Sequence, residues 1–292
     1  MIETRLLHYF LAIAREQNMT KAAELLHVTQ STLSKQMMDL EAQLGKQLFI
    51  RGKRKLTLTD DGEYLRTKAQ EILNLIDTTE NTLRSDDRVI TGDIHIGCGE
   101  TAVMEILTDV YAELQRLHPD VRLHLFSGDA EAVTDRLDKG LIDMGLLLGP
   151  YHQEKYNYLD IGCKDTFGLL MPRNCKLAQS HEIPLEQLSA LPLILPDQLY
   201  TYGQRYENIR LNPDELKVTA TYNLIHNATY LVERNIGYAY CLDRLVNTEG
   251  SRNLTFRPIT PEISVSLFLV TKRYQTFSPA VKKFLELMQK RL

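Results

Sequence analysis

Residues 20–44 read TKAAELLHVTQSTLSKQMMDLEAQL and predict two short helices joined by a tight turn. Thr20 is expected to cap the first helix and Thr29 the second, because a threonine hydroxyl accepts a hydrogen bond from an early backbone N–H of a helix. The N-terminal region is therefore expected to be organised around a helical hairpin.

The second helix of this hairpin has two different faces. Its apolar stripe has the spacing that faces a protein core and consists of Leu33, Met37, Leu40 and Leu44. Its first turn and opposite face carry hydrogen-bonding and cationic side chains without a carboxylate, namely Gln30, Ser31, Thr32, Ser34, Lys35 and Gln36. Such a helix can enter the major groove of DNA, where base edges present donors and acceptors. The alternative is an ordinary amphipathic hairpin.

A basic segment follows the hairpin. Residues 46–55, KQLFIRGKRK, hold five basic side chains and no acidic one. Gly52 permits a tight turn, with Lys53, Arg54 and Lys55 at its tip, and the run LTLT after it predicts a short strand. The segment is therefore predicted to form a β-wing that holds DNA phosphates and fixes register.

These residues resemble the DNA-binding region of the LysR-type transcriptional regulators. The family pattern is matched without a gap at Phe10, Ala12, Ala14, Thr20, Ala22, Ala23, Leu26, Gln30, Leu33, Ser34, Gln36, Leu40, Glu41, Leu44, Gly45, Leu48, Phe49, Arg51, Arg54, Leu58, Thr59 and Gly62. Two departures lie on the second helix: Ser31 stands where the family often has proline, and Thr32 where it often has alanine. The operator sequence therefore does not carry over from relatives.

The residues expected at DNA divide into two groups. Those expected near base edges are Gln30, Ser31, Thr32 and Ser34, with Thr20 in the preceding helix. Those expected at phosphates are Lys35, Arg51, Lys53, Arg54 and Lys55.

The distribution of charge along the chain agrees with a DNA-binding role for the N-terminal region. The net charge of the 292-residue chain is −4, which by itself speaks against a nucleic-acid binder. Residues 1–59, however, hold nine Lys and Arg against five Asp and Glu, so the remainder carries −8. A small cationic DNA-facing domain attached to a larger acidic body is therefore expected.

Composition indicates a globular protein of two or three domains in the cytoplasm. No apolar run approaches a membrane span, and no signal-peptide pattern is present. The four cysteines form no CxxC pair and are expected to be small buried hydrophobes in a reducing compartment: Cys98, Cys163, Cys175 and Cys241. A redox switch through Cys163 and Cys175 is the alternative.

Two helices flank the hairpin and wing. The first, about Thr4–Glu16, is expected to support the second helix of the hairpin from behind. The other, Asp60 to about Arg84, has a coiled-coil seam of Leu65, Ala69, Ile72, Ile76, Thr79 and Leu83. We expect it to form a dimer, since two winged hairpins would reach two half-sites; the alternative is packing on its own body. Ser85–Gly92 is then a linker.

Beyond the linker the pattern changes to alternating strands and helices, which implies parallel sheet covered by helices. The predicted elements are strands 93–98, 121–126, 141–148, 167–171, 193–195, 217–221, 238–241 and 263–271, and helices 102–117, 130–139, 201–209, 224–234 and one opened by Ser278 and Pro279. Residues 149–162 are expected to cross irregularly between two such α/β units. Asn235 and Gly237 are expected to stop a helix.

This order resembles the effector domain of the same family, which is similar to type 2 periplasmic binding proteins. The fold class is thus α/β, with a winged helix-turn-helix over 1–59, a linker helix and hinge over 60–92, and a two-lobed effector domain over 93–292. Lobe I is expected over 93–161 and 266–292, and lobe II over 162–265. The resemblance implies a cytoplasmic homotetramer whose partners are double-stranded DNA, a small-molecule co-inducer and RNA polymerase, with no membrane partner.

Effectors of open α/β sheets bind beyond the carboxyl ends of strands. The expected contacts are Gly99, Glu100, Thr101, Ser127, Asp129, Tyr200, Thr201, Tyr202, Asn223 and Asn227. The resemblance places small polar effector-contacting residues at Thr101 and Asp129, and Asp129 is alternatively a helix N-cap. If Glu100 and Asp129 face the cleft, their charge disfavours a carboxylate effector. The tyrosines could bind a ring or simply pack the wall.

Enzymatic signatures are missing from the sequence. It has no GxSxG elbow, no phosphate-binding GxxxxGK[ST] loop, no HExxH and no Cys/His metal spacing, so no catalytic residue, metal or cofactor is expected. The rival interpretation is a solute-binding or enzymatic α/β domain whose helical N-terminus mediates protein contacts.

Overall fold

The computed structural model describes residues 2–52, 55–84, 90–149, 154–202, 213–250 and 253–292. The chain divides into two compact units, Met1–Arg84 and Ser85–Leu292. Among the helices in the described ranges, none combines the length with the apolar character that crossing a bilayer requires.

The first unit begins with three helices, α1 Thr4–Glu16, α2 Met19–Leu25 and α3 Gln30–Leu44. The predicted cap of α3 is confirmed, since the Thr29 hydroxyl accepts a hydrogen bond from the N–H of Thr32 at 3.2 Å. The predicted cap of α2 is wrong. The Asn18 side chain fills that position and accepts from the N–H groups of Thr20 and Lys21, because the helix begins ahead of Thr20.

These helices enclose one apolar core. The predicted stripe of α3 lies in it, with Leu33, Met37 and Leu40 buried and Leu44 partly buried. From α1, the fully buried Phe10 contacts the ring of Phe49, whose centroid is 5.2 Å away. Burying a large apolar side chain contributes about 1.5–3 kcal/mol, so this core fixes the orientation of α3.

The basic segment forms the predicted hairpin of two short strands. β1 Phe49–Arg51 pairs antiparallel with β2 Leu56–Leu58, and the N–H of Gly52 donates to the carbonyl of Lys55 at 3.0 Å to close the turn. Glu41 of α3 ties the base of this wing to the helix, because its carboxylate accepts from the N–H groups of Leu48 and Phe49. Lys53, Arg54 and the side chain of Arg51 lie outside the described residues.

The long helix α4, Asp60–Arg84, has the predicted bounds. Its seam is only partly what the spacing predicted. Leu65 and Ala69 are buried in the core of the same unit, as the alternative held, because the first half of α4 packs on α1. Further along, Ile72 is 43% exposed and Leu83 is 80% exposed, so the apolar stripe continues without cover from its own unit. Residues 85–89 of the predicted linker lie outside the described residues.

One part of the second unit, formed by its two ends, is a sheet with helices on both faces, which we call lobe I. Its elements are β3 Gly92–Cys98, α5 Met104–Leu117, β4 Val121–Ser127, α6 Ala130–Asp138, β5 Met144–Leu148, β12 Ser264–Lys272 and α9 Pro279–Arg291. The strand order is β4-β3-β5-β12, with β12 antiparallel to β5. Helices α5 and α9 pack together on one face, and α6 packs on the other. The predicted cap Ser278 of α9 is confirmed.

The predicted irregular crossing is wrong where the structure describes it. A single strand of 17 residues, β6 Tyr156–Pro172, replaces it and belongs to two sheets. Its residues 156–166 pair with β12, and residues 167–170 pair with a later strand, β10 Tyr238–Leu242. Gly162 has a left-handed φ of 71° and lies opposite an irregularity in the pairing with β12. A glycine in the middle of the segment made it resemble a loop in the sequence. Residues 150–153 lie outside the described residues.

The remainder forms lobe II, another mixed sheet with helices. Its elements are β7 Ile183–Pro184, β8 Pro192–Pro196, α7 Asp197–Tyr202, β9 Lys217–Tyr222, α8 Ile225–Glu233, β10 Tyr238–Leu242 and β11 Leu254–Thr260. The order is β6-β10-β8-β9, with β11 on the other edge of β6 and β7 beside β11. β7 and β11 were not predicted. Short 3-10 helices lie at Lys176–Gln179, Leu185–Ala190 and Pro213–Glu215.

Two predicted helix limits in lobe II differ in detail. The helix predicted over 201–209 begins earlier, at Asp197 directly after β8, and residues 203–209 lie outside the described residues. Asn235 has the expected left-handed φ of 57° after α8. Gly237 is needed for close packing instead. A Cβ there would lie 2.8 Å from Thr219 Oγ1 and 2.9 Å from the carbonyl oxygen of Pro192, so a larger residue would clash with both.

Candidate functional site

The polar face of α3 is presented to solvent. Gln30, Ser31, Thr32 and Lys35 are exposed, whereas Ser34 and Gln36 are half-buried. We call these six residues the recognition face. No acidic side chain lies in the first turn of α3, so the partial positive charge of the helix N-terminus is not neutralised by its own residues. The face therefore combines hydrogen-bonding groups with a positive potential.

The hydroxyl groups at the start of α3 form a small cluster. Thr29 Oγ1 lies 3.0 Å from Ser31 Oγ and 2.8 Å from Thr32 Oγ1. The two departures from the family pattern thus hydrogen-bond to the helix cap. Each hydroxyl keeps further donor or acceptor capacity for a partner.

Two further residues expected at DNA are exposed in the same unit. Lys55 is exposed at the base of the wing turn, and Thr20 is exposed in the first turn of α2. Lys46, also predicted as part of the basic segment, forms an exposed ion pair with Asp61 at 3.3 Å. A surface pair of this kind contributes little stability, so Lys46 can exchange Asp61 for a phosphate.

A cavity of about 170 Å³ lies between lobe I and lobe II of the second unit. We call it the interlobe cavity. Its lobe I wall is Gly99, Glu100, Thr101, Gly128, Asp129, Ala130, Leu146, Leu147, Leu148 and Leu267. Its lobe II wall is Phe167, Pro196, Asp197, Gln198, Leu199, Tyr222, Asn223, Leu224, Cys241, Leu242 and Leu245. Most of these residues follow the carboxyl ends of strands, as expected for an α/β sheet.

The structure brings half of the expected effector contacts to the interlobe cavity. Those in the wall are Gly99, Glu100, Thr101, Asp129 and Asn223. Ser127, Tyr200, Thr201 and Asn227 are exposed and outside the described lining, and the side chain of Tyr202 is outside the described residues. The early start of α7 explains why Tyr200 is not in the lining. Because the helix begins at Asp197, residues Pro196–Leu199 line the cavity in its place.

Sequence reasoning missed several wall residues. Asp197 and Gln198 follow β8, and Tyr222 ends β9, so the rule of strand ends would have found them once the strands were placed correctly. The Tyr222 hydroxyl donates to the carbonyl of Tyr240 at 2.8 Å. The apolar wall, which includes Phe167 and Leu242, carried no local signal because these residues are ordinary strand hydrophobes in the sequence.

Thr101 has a structural partner. Its hydroxyl donates to Asp165 Oδ2 at 2.5 Å and accepts from the N–H of Val103 at 3.1 Å. Asp165, on the crossing strand β6, is fully buried and also accepts from Arg244 of lobe II at 3.1 Å. Burial raises the pKa of Asp165; Thr101 opposes the rise, Asp243 adds to it and Arg244 opposes it.

The two carboxylates expected to face the cleft are both in the cavity wall. Asp129 is the N-cap of α6, as the alternative held, because its Oδ1 accepts from the N–H of Ala132 at 2.7 Å. Glu100 of lobe I reaches lobe II, where its Oε2 accepts from the N–H of Ile225 at 2.5 Å. The cavity is thus bridged by a hydrogen bond between its two lobes.

All four cysteines are free. Cys163 packs against the lobe I core and Cys175 against a lobe II core, so the suggested pair is not a disulfide. Cys241 lies in the cavity wall, and burial raises the pKa of its thiol to about 12, which keeps it protonated. Within the described ranges, no group of three His, Cys, Asp or Glu side chains could hold a metal ion.

Comparison with known proteins identifies a family for the unit that holds the recognition face and for the unit that holds the interlobe cavity. Residues 4–63 match the family described as bacterial regulatory helix-turn-helix protein, lysR family, and residues 87–292 match the LysR substrate binding domain. The Hca operon transcriptional activator HcaR of Escherichia coli (strain K12) is 27% identical over 300 residues, covering 100% of this chain and 98% of that protein. The regulator BudR of Raoultella terrigena is 26% identical, covering 98% and 100%.

The fold is also shared with a solved structure. Full-length CbnR complexed with its target DNA has a TM-score of 0.75 at 20% identity, covering 100% of both chains. The whole chain, including the helical N-terminal region, thus shares the fold of that protein.

Proposed function

The chain belongs to the LysR family of transcriptional regulators, with a helix-turn-helix DNA-binding domain and an effector-binding domain, and we propose which of its residues perform each task. The recognition face of α3 enters the major groove. Gln30, Ser31, Thr32 and Ser34 approach base edges there, with Thr20 beside them. The observation that carries this proposal is the polar, carboxylate-free first turn of α3, held outward by the buried side chains of Leu33, Met37 and Leu40.

The cationic residues hold the DNA backbone. Lys35 on α3 and Lys55 in the wing are exposed, and Arg51, Lys53 and Arg54 lie in the same basic segment. Contacts to phosphates fix the register and orientation of α3 but read no bases. The wing is anchored for this purpose, because Glu41 hydrogen-bonds the backbone of Leu48 and Phe49.

The exposed second half of α4 pairs with a second copy of the chain. Ile72, Thr79 and Leu83 form its uncovered stripe. An apolar stripe of this length on a solvent-facing helix is typical of a dimer seam. The dimer would carry two recognition faces to two half-sites, and two dimers would form the homotetramer expected from the sequence.

The interlobe cavity binds the small-molecule effector. A ligand there touches both lobes and therefore has different affinities for their open and closed arrangements. This difference is the free energy that the effector can pass to the DNA-binding domain. The proposed contacts are Gly99, Glu100, Thr101, Asp129, Asn223, Asp197 and Gln198.

The setting follows from the family. A bacterial regulator of transcription works on DNA in the cytoplasm, and its output is the recruitment or exclusion of RNA polymerase at a promoter. The rival interpretation, an α/β domain with a helical protein-contact segment, gives no reason for residues 4–63 to match a DNA-binding family.

The salt dependence of DNA binding tests the proposal. The full chain is titrated on duplex DNA from upstream of its own coding sequence by gel shift at several salt concentrations. The variant Lys53→Ala/Arg54→Ala should bind all duplexes more weakly, with a log–log salt slope smaller by about 4 for a bound dimer, because each of its two chains loses two phosphate contacts. The matched control is Lys176→Ala/Lys217→Ala, which removes two exposed lysines of the second unit. Equal slopes for both variants would contradict the proposal.

A further inference from the structure

The N-terminal end of α8 is an unusual position in the interlobe cavity. The first N–H groups of a helix have no partner within the helix, and a capping side chain usually supplies one. The N-cap residue of α8 is Leu224, which has no side chain able to accept a hydrogen bond. The acceptor comes from the other lobe instead, since Glu100 Oε2 accepts from the N–H of Ile225 at 2.5 Å.

Glu100 therefore occupies a spot in this wall that attracts anions. A helix N-terminus carries a partial positive charge and binds carboxylates and phosphates. Both Glu100 and Leu224 line the interlobe cavity, so the bond lies at the cavity surface. The Glu100 charge also reaches Tyr222, whose pKa is raised well above its ordinary value by burial first and then by Cys241 and Glu100.

The other charges of the wall have the same sign. Asp129 and Asp197 are the remaining ionisable carboxylates in the lining, and the described lining residues include no lysine, arginine or histidine. An anionic ligand would meet like charges at close range, whereas an ammonium group would meet opposite ones. The rest of the wall is largely aliphatic, with the rings of Phe167 and Tyr222.

The size of the cavity limits the ligand further. An apolar cavity of about 150 Å³ takes one benzene molecule. The interlobe cavity of about 170 Å³ therefore suits a hydrocarbon body of one ring or similar size, with one polar head group.

We propose that Glu100 is the specificity-determining residue of the interlobe cavity: it fills the α8 N-terminus as a built-in carboxylate, and so the cavity accepts small apolar amines and rejects carboxylates. This inference rests on the proposed function of the cavity as the effector site. The same bond joins lobe I to lobe II, so an amine that pairs with the Glu100 carboxylate acts directly on the link between the lobes.

Three probes of equal shape test the proposal: benzylamine, benzyl alcohol and benzoate. Each is titrated near neutral pH into the full-length protein while binding and the melting temperature are measured. For the natural chain, benzylamine should raise the melting temperature and benzoate should leave it unchanged. For Glu100→Ala, benzoate should bind about tenfold more tightly than it does to the natural chain, because the α8 N-terminus is free, and the benzylamine shift should be lost.

Two further variants make the result decisive. Glu100→Gln keeps an oxygen that can accept from Ile225 but loses the charge, so it should keep the fold, lose benzylamine binding and fail to gain benzoate binding. Glu105→Ala removes an exposed glutamate of α5 and should behave as the natural chain does. Benzoate binding to the natural chain as tightly as to Glu100→Ala would overturn the proposal. No benzylamine response by the natural chain, or a preference for benzyl alcohol, would also overturn it.

DNA binding separates this inference from the proposed function. All variants should still prefer the upstream DNA to an unrelated duplex, since the recognition face and the wing lie in the other unit. If they do and the probes behave otherwise than expected, only the ligand class is refuted. If the natural chain itself fails to bind DNA, the proposed function fails.

Discussion

Asp165 is a buried residue that joins the two lobes. It lies on β6, which runs through both sheets, and it contacts Thr101 of lobe I and Arg244 of lobe II. Arg244 adopts a left-handed φ of 59°, which is uncommon for a residue with a side chain. A fully buried carboxylate with partners from both sides is a position where substitutions affect the whole effector unit.

The pH dependence of stability should reveal Asp165. Burial raises its folded-state pKa above the ordinary 3.8, so the folded protein holds this proton more tightly than the unfolded chain. The stability from this group is fully present below the unfolded pKa and is lost as the pH rises through the folded pKa. As the pH falls from neutral toward 3.8, the free energy of unfolding of the natural chain should therefore increase relative to that of Asp165→Asn.

Chemical denaturation at a series of pH values measures this difference. Asp160→Asn, an exposed aspartate of the same strand, is the control and should follow the natural chain. A difference between the natural chain and Asp165→Asn that stays constant with pH, or grows in the opposite direction, would refute the assignment.

Gln30 is the most direct test of base reading by a single side chain. It is exposed at the first position of α3, and a glutamine can hydrogen-bond adenine through both its amide atoms. Gln30→Ala should weaken operator binding by about 1–3 kcal/mol and relax the preference at one base pair, leaving binding to unrelated duplexes unchanged. Gln43→Ala, an exposed glutamine at the far end of α3, is the matched control. Equal losses on all duplexes would make Gln30 a non-specific contact.

For single residues, the sequence predicted which side chains form hydrogen bonds better than it predicted the groups to which they bond. Thr29 was identified as a cap because its helix start was placed correctly, whereas Thr20 lost that role to Asn18 when α2 began ahead of it. Thr101 was expected to face an effector, but its hydroxyl donates to Asp165, 64 positions away in the chain. Contacts at such separations leave no local pattern, so only the fold reveals them.

Among the elements, α4 has the clearest divided role. Its first half completes the core of its own unit through Leu65 and Ala69, while its second half exposes Ile72 and Leu83. One periodic stripe thus serves two surfaces. The spacing of the stripe was readable in the sequence, but the point where one surface gives way to the other depends on where α1 ends against it.

The exposed stripe of α4 should control assembly. Leu83→Glu or Ile72→Glu would place a charge in an apolar seam, so the dimer dissociation constant should rise by about tenfold or more. Sedimentation velocity measures the change as a loss of the larger species. Asn74→Glu, on the opposite side of the same helix, should leave assembly unchanged. An unaltered sedimentation profile for Leu83→Glu would exclude this stripe as the seam.

The sequence predicted helices with a regular apolar spacing closely. It did not predict strands whose position depends on pairing with distant parts of the chain. α1 and α4 have their predicted bounds because their apolar spacing is regular. β6 was divided into a crossing and a short strand because Asn157, Asp160 and Gly162 look like loop residues. Its partners β12 and β10 lie far along the chain and override this local character. The same long-range pairing explains why β11 was missed.

For the whole molecule, the charge distribution and the fold support one division of labour. Residues 1–59, which hold the recognition face and wing, have a net charge of +4, whereas the second unit, with its interlobe cavity, has a net charge of −5. A metabolite can influence transcription in such a chain only through a difference in its affinity for two arrangements of the protein.

The central claim is that this chain recognises a particular DNA sequence, and a ratio of two affinities tests it most directly. The full-length protein is titrated, by fluorescence anisotropy at physiological salt, on a duplex from upstream of its own coding sequence and on a shuffled duplex of the same length and composition. We predict tighter binding to the natural duplex by about a thousandfold or more. Equal affinity for the two duplexes would contradict the claim.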